Sequence, residues 1–245
     1  EAKYEDVITS KQSVYGKFSI PVAKSTNEYA IVLAKHGRMN EALTQYEDAR
    51  QIYDAIIVAI PTSSDPNASE ADSITKCKYD VTLINLNIAS IKSKKGDLQG
   101  AITSYEKGVR GLQAYRQFQA DSNETTHNKS LGKHLVAAMG RIGSLKMKMG
   151  DNQGSLAVYG ELIKEVTAKS PLSSRMEKAK AHIKCATIYR QNDTPEANKF
   201  AIAHLREALE MYTALYGTDH KDTKAVSSSL IQWLEEDADM QTGQS

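Results

Sequence analysis

The chain has 245 residues, 40% of them hydrophobic, and 31 lysines and arginines stand against 30 aspartates and glutamates for a formal net charge of +1. That balance excludes a bulk electrostatic drive toward nucleic acid or anionic membrane, and the longest apolar run, residues 55–60, falls far short of the ~18 residues a membrane span needs. Cys77 and Cys185 are remote in sequence and form no Cys-x-x-Cys pair, so neither a disulfide framework nor a zinc knuckle is expected; the thiols suit a reducing intracellular compartment, and a start at Glu1 also fits a processed organellar protein.

In chain order, Tyr4, Val7, Ile8, Val14 and Tyr15 predict a helical segment within residues 1–22, packed on whatever follows. An internal repeat then begins. Ala30, Gly37, Ala42, Tyr46 and Ala49 are spaced by seven, five, four and three residues, and Ala89, Gly96, Ala101, Tyr105 and Gly108 repeat that spacing. A third copy reads Gly143, Gly150, Ser155, Tyr159 and Leu162; in the fourth, Ala186 and Tyr189 open the unit and Ala201, Leu205 and Ala208 close it.

Helical periodicity supports the same frames. Cys77, Val81, Ile84, Ile88 and Ile91 share one face of a 3.6-residue helix, as do Leu131, Leu135, Ala138, Ile142, Leu145 and Met149, and then Ala201, Leu205, Ala208, Tyr212 and Leu215. Pro61 should end the helix that begins near Asn40, and Thr194-Pro195-Glu196 offers an N-cap followed by a proline at the first helical position. Ser174 and Glu177 have capping-box spacing, while residues 61–67 and 120–128 read as polar loops. Near the end, Val226, Leu230 and Trp233 predict a helix capped by Asp222 or Thr223 that closes the stack, with residues 237–245 a disordered tail.

Small residues at helix crossings, glycine after the first helix and an aromatic on the second make this ladder resemble the tetratricopeptide repeat (TPR). The segment from Arg206-Glu207-Ala208-Leu209-Glu210 through Leu215-Tyr216-Gly217-Thr218-Asp219-His220-Lys221-Asp222-Thr223 is similar to the repeat-joining segment of kinesin light chains, with Lys221 where that family has proline. The resemblance implies an all-α, TPR-type solenoid of helical hairpins, about four repeats with a C-terminal capping helix over residues 23–236. It implies a non-catalytic scaffold for protein–protein interaction. Kinesin light chains carry a heptad coiled coil before their repeats, and residues 1–24 hold no such run; transport on microtubules is not implied.

Catalytic chemistry needs a nucleophile, a base or a ligand set at interpretable spacing, and the sequence offers none. There is no Gly-x-Ser-x-Gly elbow, phosphate loop or dinucleotide fingerprint. Gly140, Gly143, Gly150 and Gly154 fall at crossing and turn positions of the third repeat. His182 and Cys185 lie one turn apart without a matching second pair, so no metal is expected; His127 and His134 also lack companions, and His220 reads as a turn brace. Exposed aromatics interleaved with basic residues, as RNA stacking requires, are absent. No cofactor is expected.

In TPR arrays the outward positions of the first helices line a concave groove. Here they are Asn27, Ile31 and Lys35; Leu83, Asn87, Ser90 and Lys94; Arg141, Ser144 and Lys148; and Lys180, Lys184, Thr187 and Arg190. Asn87, Lys94, Arg141, Ser144, Lys148, Lys184, Thr187 and Arg190 are the expected partner-binding residues, in a locally basic groove suited to an acidic or extended segment of a protein. The alternative is a stably bound subunit or assembly factor of a larger complex. Chaperone-binding TPR domains clamp a carboxylate with Lys, Asn, Asn, Lys and Arg; Asn87 and Arg141 match, but Asn27, Ile31 and Ala137 stand at the other positions, so that clamp is not expected.

Overall fold

The computed structural model describes residues 2–59, 68–121, 128–192 and 194–242, and these residues contain helices and no strand. The helices are α1 (Ala2–Tyr15), α2 (Ile20–Lys35), α3 (Met39–Ala59), α4 (Ala68–Lys94), α5 (Leu98–Asp121), α6 (Asn128–Lys148), α7 (Asn152–Glu165), α8 (Leu172–Arg190), α9 (Pro195–Tyr216) and α10 (Lys221–Thr242). They form two compact units, Glu1–Thr125 and Thr126–Ser245. Residues 23–236, expected as a repeat array, run through both units, and α1 with the start of α2 falls within residues 1–22.

One turn recurs between paired helices and shows how the sequence builds a hairpin. Gly37, Gly96 and Gly150 each adopt a left-handed φ of 80° to 85°, where a β-carbon is penalised. The amide after each glycine reaches back to close the same loop: Arg38 to the Leu33 carbonyl (3.0 Å), Asp97 to Lys92 (3.0 Å) and Asp151 to Lys146 (2.9 Å). In two of the three turns an aspartate then starts the next helix, Asp97 accepting from the Gly100 amide (2.9 Å) and Asp151 from the Gly154 amide (2.8 Å). A β-carbon at Gly100 or Gly154 would lie 2.0 or 2.1 Å from that carboxylate, so the Asp-x-x-Gly spacing is a cap with room made for it.

In the first unit α2 pairs with α3 and α4 with α5 around Ala30, Leu33, Ala42, Tyr46, Ala49, Tyr53, Ile84 and Ile88, all buried. At the α4/α5 crossing the spacing is set by glycine: a β-carbon on Gly108 would stand 2.2 Å from Leu86 Cδ2, and one on Gly111 2.1 Å from Thr82 Oγ1. The helix α1 docks on α2 through the stacked rings of Tyr4 and Tyr29 (5.6 Å), Tyr29 donating to Glu5 (3.1 Å) and Lys11 to Ser25 (2.6 Å). Only Tyr4 and Ile8 of the expected apolar face pack inward; Val7, Val14 and Tyr15 are exposed, because polar contacts replace them along the α1/α2 seam.

In the second unit α6 pairs with α7, α8 with α9, and α10 lies on α9. Thr194 caps α9 through the Ala197 amide (3.2 Å) with Pro195 at its start, as the sequence indicates. Ser174 is not a cap: Pro171 occupies that place, α8 begins at Leu172, and the Ser174 hydroxyl is buried inside the first turn. The start of α10 is capped by His220, whose Nδ1 accepts from the Asp222 amide (3.3 Å), which places Asp222 and Thr223 inside the helix. Val226 and Leu230 are buried against α9, while Trp233 is half-buried under the Arg190 guanidinium (5.4 Å).

Two expected boundaries change. The helix α10 runs on to Thr242, so residues 237–242 are helical where a disordered tail was expected; a helix can propagate through a good former such as the exposed Ala238 without an apolar face. Likewise α5 extends to Asp121, past the start of the polar stretch from 120. The 61–67 segment and residues 122–127 and 243–245 lie outside the described residues.

A polar pair crosses the α8/α9 contact. His182 Nδ1 meets His204 Nδ1 at 3.0 Å, so one neutral ring donates and the other accepts. His204 in turn stacks on Tyr189 (5.7 Å). Burial, with His204 and Lys178 nearby, holds the His182 imidazole down at about 4, and burial also lowers His204 against the pull of Glu207. An unfolded histidine titrates near ~6.5, so between about pH 6.5 and 4 the unfolded chain binds the extra proton. The stability from the neutral pair should be complete above that range and fall by ~2 to 3 kcal/mol on acidification through it. Denaturant unfolding from pH 7 to pH 4 should show that loss in the native protein and a flatter profile in His182→Leu; identical slopes would contradict the assignment.

The end of the stack gives a second expectation. Leu230→Ala should cost ~2 kcal/mol through lost burial, whereas Ile231→Ala, at a residue 54% exposed, should change stability by less than ~0.5 kcal/mol. Equal thermal midpoints for the two variants would show that α10 does not cap α9.

Candidate functional site

In each unit the first helices of successive hairpins touch, α2 with α4 and α6 with α8, and this leaves one face of each first helix turned away from the second helices. In the second unit that face holds a cleft of about 280 Å³ lined by Gly140 and Ser144 of α6, Tyr159 of α7, and Glu177, Lys180, Ala181, Ile183 and Lys184 of α8. Gly140 lines it, and two small residues, Gly143 and Ser155, set the α6/α7 contact behind it. At Gly140 a β-carbon would approach Glu177 Oε2 to 3.1 Å, and at Gly143, directly behind, it would stand 2.7 Å from the Tyr159 ring. Ser155, at the repeat's small-residue position, is fully buried and donates to the Gly143 carbonyl (2.9 Å).

The cleft floor is fixed by hydrogen bonding. Tyr159 OH lies 2.9 Å from Ser144 Oγ, and burial raises the phenol's pKa while that bond opposes the rise. On the rim, Lys180 donates to Glu177 (2.9 Å), which holds the ammonium above its ordinary range. Lys184 projects beside this pair and is exposed. Among the described residues, Arg141, Lys148 and Lys184 form no ion pair, and all three are exposed.

The remaining expected residues divide. Thr187 spends its hydroxyl on the Ile183 carbonyl one turn back (2.9 Å). Arg190 is engaged within the fold: Glu236 of α10 pairs with it and Trp233 lies beneath it. Arg190, expected among the partner-binding residues, thus has a carboxylate supplied by the capping helix. In the first unit, Asn87 is half-buried and Lys94 exposed on one face of α4, while the neighbouring Lys95 donates to Asn40 (2.6 Å).

The faces are less basic than the expected positions imply. Extending each ladder back by one helical step adds Asp80 to the α4 face and Glu177 to the α8 face, both carboxylates. Asp80 accepts from the Tyr53 hydroxyl, and burial with the Asp80 charge pushes that phenol far up. One turn apart on α8, His182 is hydrogen-bonded to His204, and burial pushes the Cys185 thiol up to about 11. Cys77 is likewise buried, its thiol raised by burial and by Asp80. Among the described residues no three His, Cys, Asp or Glu side chains are grouped to hold a metal, and no helix is long and apolar enough to cross a membrane.

The arrangement of hairpins has known counterparts. The crystal structure of the nearly identical TPR-like repeats of a Podosopora anserina protein described as a kinesin light chain matches with a TM-score of 0.54 at 16% identity, over 89% of this chain and 86% of that one. A single-residue variant of the same repeats matches with a TM-score of 0.54 at 16% identity, over 86% and 84%. No family model matches the sequence, and no curated protein matches it. The chain is a TPR-like helical repeat protein. Its repeats are similar in fold to those of kinesin light chains.

The glycines around Tyr159 give opposite expectations for one substitution. Gly143→Ala should cost ~1 to 3 kcal/mol, since the ring bonded to Ser144 must move. Gly160→Ala should stabilise α7 by ~0.5 to 1 kcal/mol, because a β-carbon there meets nothing within 4 Å. Chemical denaturation of both variants checks this; shifts of the same sign would contradict the crossing role of Gly143.

Proposed function

We propose that the chain is a protein-interaction scaffold and that the α6/α8 face takes an extended acidic segment of a partner protein. The fold class supports the first part, since stacked hairpins expose the same helix position repeatedly and so present a row of side chains to a chain laid along them. The second rests chiefly on the cleft between α6 and α8, with Ser144 and Tyr159 at its floor and Lys184 in its lining, and on Arg141 and Lys148 exposed on α6. Cations without an internal carboxylate gain charge-assisted hydrogen bonds from a partner's carboxylates, Arg141 through a two-pronged guanidinium and the lysines as point charges. Asn87 and Lys94 offer the corresponding α4 positions in the first unit. Arg190 would contribute only if a partner carboxylate displaced Glu236.

Reversing Arg141, Lys148 and Lys184 together to glutamate should weaken capture of the native partner at least ~10-fold and reduce its salt dependence. Reversing Lys164 and Lys169, exposed residues away from the cleft, should leave capture within ~2-fold. Equal capture by the two folded variants would remove the α6/α8 face from the interaction.

A further inference from the structure

Among the described residues, Arg190 differs from the other expected groove cations in having a carboxylate brought to it by another helix. It is the last residue of α8, about 9 Å along the helix axis from Lys184, and its side chain is turned to α10. Its Nη2 pairs with Glu236 Oε2, and its guanidinium lies over the Trp233 ring at 5.4 Å. Glu236 is itself steered. Its other oxygen accepts from Gln232, one turn back on α10 (2.8 Å), and the bonds from Gln232 and Arg190 hold its carboxyl below the ordinary range. At neutral pH it therefore meets Arg190 as an anion, as the carboxylate of a partner would.

The pairing is incomplete and open to water. Arg190 Nη1 is buried with no hydrogen-bond partner among the described residues, so Glu236 satisfies one prong of a donor built for two. The Glu236 side chain is 44% exposed, and an ion pair with so wet a partner is weak enough for a competing carboxylate to replace. What anchors α10 lies elsewhere, in Val226 and Leu230 buried against α9. Glu236 can thus give up Arg190 without α10 leaving α9.

We infer that Glu236 is a built-in competitor for Arg190, an autoinhibitory contact that a partner's carboxylate must displace to engage the end of α8. The inference rests on the reading of the α6/α8 face as a site for an acidic segment, and adds a threshold to it. A carboxylate tethered on α10 is present at an effective concentration that a free ligand must overcome. An isolated acidic group therefore leaves Arg190 closed. A segment with several, already held at Lys184, brings its next carboxylate to Arg190 at a comparable effective concentration and opens it.

Calorimetric titration of the full chain with an end-blocked hexaglutamate peptide at low salt tests it. Glu236→Gln should bind the peptide about 2- to 5-fold more tightly than the native chain. Glu235→Gln, which removes the exposed neighbouring carboxylate and changes the net charge equally, should bind as the native chain does. In an Arg190→Gln background, Glu236→Gln should bring no gain. An equal gain in Glu235→Gln would reduce the effect to net charge, and a gain that survives without Arg190 would place it elsewhere; either result, or no gain in Glu236→Gln, overturns the inference. The triple reversal of Arg141, Lys148 and Lys184 separates this from the wider reading. If it binds hexaglutamate as well as the native chain, the acidic-segment face is wrong; if it loses binding while Glu236→Gln gains none, the competitor alone is wrong.

Discussion

Helix spacing is the constraint on which the other features depend. Where Gly143 faces Tyr159, Gly108 faces Leu86 and Gly111 faces Thr82, an added β-carbon would lie between 2.1 and 2.7 Å from its neighbour, well inside van der Waals contact. Ala30, Ala42, Ala89, Ala101, Ala186 and Ala201 fill equivalent places and are wholly buried. Because the contact is backbone against side chain rather than side chain against side chain, each pair of helices is held close. Most of the apolar area then lies between the helices, and the opposite face of each first helix is relieved of structural duty. That face is where exposed polar residues can stand.

The repeat was legible because its signal is a spacing of residue sizes, which survives changes of identity. Gly replaces Ala at 143, Ser replaces Ala at 155 and Leu replaces Ala at 162, yet all three remain buried. The turns were legible through Gly37, Gly96 and Gly150, since a left-handed residue restricts the choice to very few amino acids. Ends were less so. Ser174 has the spacing of a capping box but sits one turn too late, since Pro171 has already started α8; spacing alone does not say where a helix begins. The tail of α10 carries no apolar pattern, and helix propensity without burial leaves only a weak trace in sequence.

The candidate site was half legible. Helical periodicity placed Arg141, Ser144, Lys148 and Lys184 on the exposed faces of α6 and α8, and Ser144 and Lys184 do meet at one cleft. Periodicity does not report what reaches in from another helix. Glu236, 46 residues beyond Arg190, pairs with it, and His204, 22 residues beyond His182, meets it in a hydrogen bond. Glu177 and Asp80 were within reach, each a single helical step before the positions counted, and they make the faces a mixture of charges instead of a uniformly basic wall.

On the proposed function, recognition by the second unit would be selective rather than bulk electrostatic: Arg141, Lys148 and Lys184 stand exposed and unpaired on α6 and α8, which enclose a small cleft with a fixed tyrosine. The most direct measurement is lysine footprinting by acylation and mass spectrometry, with the chain alone and with its native partner bound. Lys148 and Lys184 should lose reactivity on binding while Lys164 and Lys169 keep theirs. Protection of Lys164 and Lys169 with Lys148 and Lys184 unchanged would place recognition on another surface and contradict the account.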